Sequence, residues 1–167
     1  HGRSTIKRLY ASGENASTGL HGANRLASNS LIEALVFSHN AAEHAKNIVG
    51  GITHNYDVPE WNDEGTSLPE EMILITQEFK ELQQIMTNYV GIVRSNLRLK
   101  RAYDRLEIIH RETENLFERS TLSQHLCELR NAINGAYIII KFARRRRESR
   151  GLHYNLDYPE KNKYLNS

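Results

Sequence analysis

The 167-residue chain has one cysteine, one tryptophan, two methionines and three prolines, and no apolar run that approaches the span of a bilayer. A lone Cys127 cannot close an internal disulfide, which excludes a disulfide-stapled scaffold and fits a reducing compartment, most simply the cytoplasm. Cys127 lies in a helical pattern with no sequence partner, so it reads as a small core residue rather than a nucleophile. A transmembrane helix needs about 20 apolar residues and no signal peptide is visible, so no membrane partner is expected. The 22 basic and 20 acidic residues give a formal charge of only +2, too little to demand nucleic acid. None of the eight histidines stands at zinc-ligand spacing with Cys or Glu. His39 and His44 are five apart and share no helix face, and His110 and His125 read as ordinary helix residues, so no metal is expected. No internal repeat is present. The balance of 39% hydrophobic and 25% charged residues is that of a soluble chain long enough for one real core.

What is present is mostly helical pattern. Residues 8 to 12 read as a short strand running into a turn at Gly13. Residues 14 to 28 are small and loop-like. Leu31, Ala34, Leu35, Ser38, Ala42, Ala45 and Val49 then recur at helical spacing, with Ser28 or Asn29 as the cap and Gly50-Gly51 as the stop. Residues 51 to 66 are a linker, in which Trp61 is expected to pack onto a neighbour. Three helices follow. The first opens on a Ser67-Leu68-Pro69-Glu70 capping box and runs through Met72, Ile75, Phe79, Leu82, Met86 and Tyr89. The second carries Leu99, Ala102, Leu106, Ile109, Thr113, Leu116 and Phe117. The third opens at Thr121, with Gln124 as its capping-box partner, and carries Leu122, Leu126, Leu129, Ile133, Ala136, Ile140 and Ala143. Such stripes are the core of an antiparallel bundle.

The segment from Thr18 to Leu31, TGLHGANRLASNSL, concentrates the chemistry. It places a Gly pair, His21, Asn24, Arg25 and an Asn-Ser pair in fourteen residues directly before a helix. The first N–H groups of a helix lack internal partners and carry partial positive charge. Arg25 can grip a carboxylate with two prongs and stays charged in a closed site. Just upstream, Leu9-Tyr10-Ala11-Ser12-Gly13-Glu14 sets an acid after a tight turn, where a carboxylate can accept hydrogen bonds from a sugar-like chain. Each feature alone has a bland alternative: a surface turn, a capped helix, a structural ion pair.

Together, Thr18 to Leu31 resembles the motif shared by L-aspartate oxidases and the flavoprotein subunits of succinate dehydrogenase and fumarate reductase. The resemblance runs along nearly the whole chain. Asn88-Tyr89-Val90-Gly91-Ile92-Val93-Arg94 and Glu128-Leu129-Arg130-Asn131 match the family's helices. The closing Arg147-Glu148-Ser149-Arg150-Gly151-Leu152-His153-Tyr154-Asn155-Leu156-Asp157-Tyr158-Pro159 is similar to the aspartate oxidase branch in particular. The resemblance implies a mainly α chain: a C-terminal three-helix bundle preceded by the last strand and helix of a Rossmann-like FAD-binding domain. Residues 1–50 would be the incomplete end of that FAD domain, 51–66 the linker, 67–150 the helical bundle and 151–167 a C-terminal tail. It implies FAD as cofactor, held by Glu14 at the ribityl chain and by the backbone around Asn29, Ser30 and Leu31 at the ring. Arg25, with Ser28 and His21, would bind the substrate.

The activity so implied is oxidation of L-aspartate to iminoaspartate, with electrons passed to oxygen or fumarate and a functional link to quinolinate synthase in NAD biosynthesis. No Gly-x-Gly-x-x-Gly is present, and the chain opens on His1 in mid-sequence style, so it reads as a piece of a longer protein that alone neither binds FAD tightly nor turns over aspartate. No catalytic acid or base is assigned to it. Two alternatives stand beside this reading. One is the succinate dehydrogenase or fumarate reductase flavoprotein. The other is a non-catalytic helical module that uses Arg144 to Arg147 to bind an acidic partner. The bland reading of that arginine run is a solvated helix end whose cations complement the dipole.

Overall fold

The protein is described by a computed structural model, which covers residues 2–67 and 72–164. The chain divides into two compact units, one running through Glu60 and the other beginning at Trp61. The boundary falls inside the segment expected to be a linker.

In the first unit, a single turn of 3-10 helix (Gly13–Ala16) precedes α1 (Ala27–Val49). The strand expected over residues 8 to 12 does not form. Tyr10 makes only an isolated bridge to Arg3, closed by Ser4 N–H to Leu9 O at 3.0 Å and Ala11 N–H to Gly2 O at 2.8 Å. A strand extends only where a neighbour takes its alternate N–H and C=O groups, and among the described residues this segment has none beyond its own short return. Side chains tie it to α1 instead: the Tyr10 hydroxyl lies 2.6 Å from His44 Nδ1 and Ser12 Oγ 2.8 Å from Ser38 Oγ. Gly13 turns the chain at φ +67°, a conformation that favours glycine.

Helix α1 starts earlier than its sequence suggests. Its N-cap is Leu26, which supplies no capping side chain, so Ser28 and Asn29 lie inside the first turn. Gly50 ends it, as read from the sequence. Its buried residue is an acid, Glu33, while Leu31, Ile32, Leu35 and Val36 are each half exposed or more.

The second unit is a three-helix bundle of α2 (Met72–Val90), α3 (Asn96–Arg119) and α4 (Gln124–Arg145). Short connections between them make sequential helices antiparallel neighbours. The expected capping box at 67–70 lies outside the described residues apart from Ser67. In α3, Leu99, Ala102, Leu106, Ile109 and Thr113 are buried, and in α4 Leu126, Leu129, Ile133, Ala136, Ile140 and Ala143. Both stripes step by three and four residues, the seam spacing of helices packed knobs into holes. Helix α2 contributes Ile75, Leu82, Ile85 and Val90, with Phe79, Met86 and Tyr89 packed partly against them. Helix α4 is capped by Ser123, whose Oγ accepts from Leu126 N–H at 3.2 Å. The expected cap, Thr121, is occupied elsewhere: its N–H donates to Ser67 O at 2.8 Å and its hydroxyl meets that of Thr66. Arg130 grips Glu114 with two hydrogen bonds of 2.7 and 2.9 Å and stacks over Phe117, linking α4 to α3. Trp61 was expected to pack onto a neighbour, but it is 71% exposed; it lies in a stretch without regular structure.

After α4 the chain returns to the bundle. Strand β2 (Tyr154–Asn155) pairs in parallel with β1 (Val93–Arg94), which connects α2 to α3. Glu148, fully buried, accepts from Arg146 at 3.1 Å, from Arg150 at 3.1 Å and from Asn162 N–H at 2.9 Å. Arg146, itself still partly exposed, is therefore paired with a buried acid rather than only solvated. Arg94 donates to Val90 O, Gly91 O and His153 Nδ1, the last at 2.9 Å.

Arginine only donates, so His153 must present a lone pair at Nδ1 and is held neutral. Burial, then the charge of Arg94, pushes its pKa below the ordinary 6.5, against the opposing pull of the Arg146 backbone and of Glu148. The folded state then binds fewer protons than the unfolded state once the pH falls below that ordinary value. This contribution to stability is present above it and is lost as the pH drops. Replacing His153 by Gln, which keeps an acceptor without a titrating ring, is expected to flatten the decline of thermal stability just below pH 6.5, read by circular dichroism melts. An unchanged decline would show that this imidazole does not titrate on unfolding.

Candidate functional site

The conspicuous polar cluster of the first unit is built around Glu33, whose side chain is 1% exposed. It sits two turns into α1, on the face turned to the loop from Thr18 to Leu26. Three donors from that loop converge on its carboxylate. Thr18 Oγ1 makes a short hydrogen bond to Oε1, His21 Nε2 lies 2.9 Å from Oε2, and Arg25 Nη2 lies 2.8 Å from the same oxygen. A carboxylate removed from water is tolerated only when it is paired and hydrogen-bonded in this way.

The tautomer of His21 follows from its partners. Leu26 N–H donates to His21 Nδ1 at 3.2 Å, so Nδ1 carries the lone pair and Nε2 the proton that Glu33 accepts. The hydroxyl of Thr18, then the ring of His21, hold the Glu33 carboxyl below its ordinary value of 4.5, and Arg25 adds to this by its charge.

Arg25 is the hub's outward arm. Its side chain is 30% exposed, and its Nε lies 3.0 Å from Ser30 Oγ and 3.2 Å from Glu14 Oε1. Glu14 itself is 75% exposed. The structure thus brings together Glu14, His21, Arg25 and Ser30 of the residues singled out in the sequence. Ser28, Asn29 and Leu31 are exposed on the first turn and a half of α1. Because that helix starts at Ala27, its unpaired donors are not where the sequence suggested. Leu26 N–H goes to His21 and Asn29 N–H to Leu26 O at 3.0 Å. Leu31 falls within the i to i−4 ladder, and the Leu26 carbonyl also accepts from the Ser30 hydroxyl. The N–H groups of Ala27 and Ser28 are left without an acceptor among the described residues.

Sequence reasoning missed Glu33 and the role of Thr18. The signal was there: one acid between Ile32 and Ala34, inside the apolar run Leu31 to Val36 of α1. An acid so placed reads as a solvent-facing residue unless a cation reaches it, and Arg25 reads from the sequence as a ligand-facing group. Among the described residues no group of His, Cys, Asp and Glu side chains could hold a metal ion, and no helix is long and apolar enough to cross a membrane.

Comparison with known proteins gives a consistent result. The family model described as fumarate reductase flavoprotein C-term matches residues 79–165. An L-aspartate oxidase of Acinetobacter baylyi is 45% identical over 93% of this chain and 28% of its own length. The chloroplastic L-aspartate oxidase of Arabidopsis thaliana is 36% identical over 95% of this chain and 27% of its own. A solved E. coli quinol fumarate reductase superposes with a TM-score of 0.70 at 27% identity, covering 96% of this chain and 30% of that one. The chain therefore spans under a third of the relatives it matches.

The geometry makes Glu33 the organiser of the loop. Replacing it by Gln removes the charge but keeps the size, leaving Arg25 and His21 with a weaker acceptor. We expect the Glu33→Gln protein to exchange the Leu26 amide proton faster than the parent. The parent should lose the same protection as the pH falls from the ordinary 4.5 toward the lowered pKa of Glu33, because the opened loop takes up the proton first. Equal protection in parent and variant would remove Glu33 from that role.

Proposed function

The chain belongs to the fumarate reductase flavoprotein family, and from that premise we propose that it is the C-terminal part of an FAD-dependent L-aspartate oxidase. The full enzyme would oxidise L-aspartate to iminoaspartate and pass the electrons to oxygen or fumarate. The product would feed NAD biosynthesis, with quinolinate synthase as the functional link, in the cytoplasm. The relatives at 36–45% identity bear the aspartate oxidase name, whereas the matched succinate dehydrogenase and fumarate reductase structures stand at 27–29%. This favours the oxidase over the dehydrogenase branch. A helical module acting alone through Arg144 to Arg147 is disfavoured, since it leaves the buried Glu33 cluster without a use.

The observation that carries the proposal is the Arg25 guanidinium, anchored by Glu33 at Nη2 and by Ser30 and Glu14 at Nε, with 30% of its side chain left exposed. A diacid needs a fixed cation to set the position of its reacting carbon. Glu33 fixes Arg25 from behind, and Thr18 and His21 fix Glu33. Glu14, exposed and paired to Arg25 only through Nε, is the group a ligand would meet first.

The residues present suit FAD in two respects: Glu14 offers an open carboxylate to hydroxyl donors, and α1 opens with free N–H groups and exposed Leu26 and Leu31. We assign Glu14 to the ribityl chain and the α1 opening through Asn29, Ser30 and Leu31 to the ring, with Arg25, Ser28 and His21 on the substrate side. FAD, when bound, supplies the hydride acceptor. The positive end of α1 would favour negative charge beside it. Arg25 holds the carboxylate, Ser28 adds a polar contact, and the neutral His21 keeps the loop in register. In the full-length enzyme, Arg25→Lys keeps the charge and loses the fork. We expect kcat/KM for aspartate to fall on the order of ten- to a hundredfold, the loss of one charge-assisted hydrogen bond. Turnover that is unaffected would take Arg25 out of the site.

A further inference from the structure

The arginine run that the enzyme reading leaves unused lines a second concave site. Between α3 and α4, Tyr103, Tyr137, Lys141, Arg144 and Arg145 enclose a cleft of about 340 Å³. The tyrosine rings lie 5.8 Å apart, centroid to centroid. The Arg144 guanidinium sits 4.6 Å from the Tyr103 ring centre and the Lys141 ammonium 5.5 Å from that of Tyr137. The ring faces thus hold two long cationic side chains that would otherwise wander in solvent. No carboxylate lines the cleft. Among the described residues none of Lys141, Arg144 and Arg145 forms an ion pair, whereas Arg25, Arg130, Arg146 and Arg150 all do. The nearby acid, Glu107, is engaged by the Tyr103 hydroxyl, which it and Tyr137 hold protonated.

We propose that this cleft binds a small phosphorylated anion between α3 and α4, with Lys141, Arg144 and Arg145 as its cationic contacts. Three convergent cations suit a phosphate dianion better than a single carboxylate, because each phosphate oxygen can take its own charge-assisted hydrogen bond. The volume lies at the lower end of ligand pockets, roughly 300 to 1,000 Å³, so it suits one phosphate ester headgroup rather than a nucleic acid strand. The cations come from one helix turn, and the rings pre-aim two of them, Lys141 and Arg144, which limits the entropy lost on binding.

The test is calorimetric titration of the full-length protein with inorganic phosphate at constant ionic strength. It is made in an Arg25→Ala background, so that the proposed diacid site does not contribute. Saturable one-to-one binding that weakens at least tenfold in the Arg144→Ala, Arg145→Ala double variant, and again on Lys141→Met, supports the site. Circular dichroism of each variant shows that the bundle is intact. Absence of saturation, or an affinity that ignores these substitutions, overturns the proposal. So does binding of a single-stranded oligonucleotide without binding of phosphate, which would mark a diffuse polyanion surface.

Discussion

A buried carboxylate governs the first sixty residues. Glu33 is almost wholly withdrawn from water, and a charge so placed is costly unless its lone pairs are taken up. The loop from Thr18 to Leu26 does this with a hydroxyl, an imidazole and a guanidinium. The dependence is mutual: the loop has no regular structure of its own, and among the described residues the acid's hydrogen-bond partners all come from that loop. Arg25 is held at a defined place because of that exchange. The apolar residues beside it, Leu31, Ile32, Leu35 and Val36, play no part in it and remain outside.

The second unit rests on a different constraint. Three helices bury a shared stripe, and each fully buried Leu or Ile contributes about 1.5–3 kcal/mol relative to exposure. Glu148 repeats at the tail the logic of Glu33, with two arginines and a backbone N–H closing the final segment onto β1. Both units thus use the same device to fix a loop, a buried acid surrounded by donors.

Much of this was legible in the residues. The stripes of α3 and α4 were read position by position, because a three-four spacing sustained over several turns has no competing explanation. Helix ends were less legible. Ser123 rather than Thr121 caps α4 because Thr121 is taken by Ser67 and Thr66, contacts that are remote in sequence. Leu26 rather than Ser28 or Asn29 precedes α1 because His21 satisfies its N–H from the loop. The strand at 8 to 12 failed for want of a neighbour, which no local pattern reports. At the site, the chemistry-bearing types in Thr18 to Leu31 stood out, but Glu33 did not, since burial of an acid depends on which cation folds back to meet it.

The central claim is that Arg25, steadied by Glu33, receives a carboxylate of the substrate. The most direct measurement is the dissociation constant of a dicarboxylate such as succinate for the full-length enzyme, read from perturbation of the bound flavin's absorbance, in the parent and in Arg25→Ala. The account predicts saturable binding in the parent and loss of the perturbation in the variant while flavin content stays the same. Equal dissociation constants in the two proteins would contradict it.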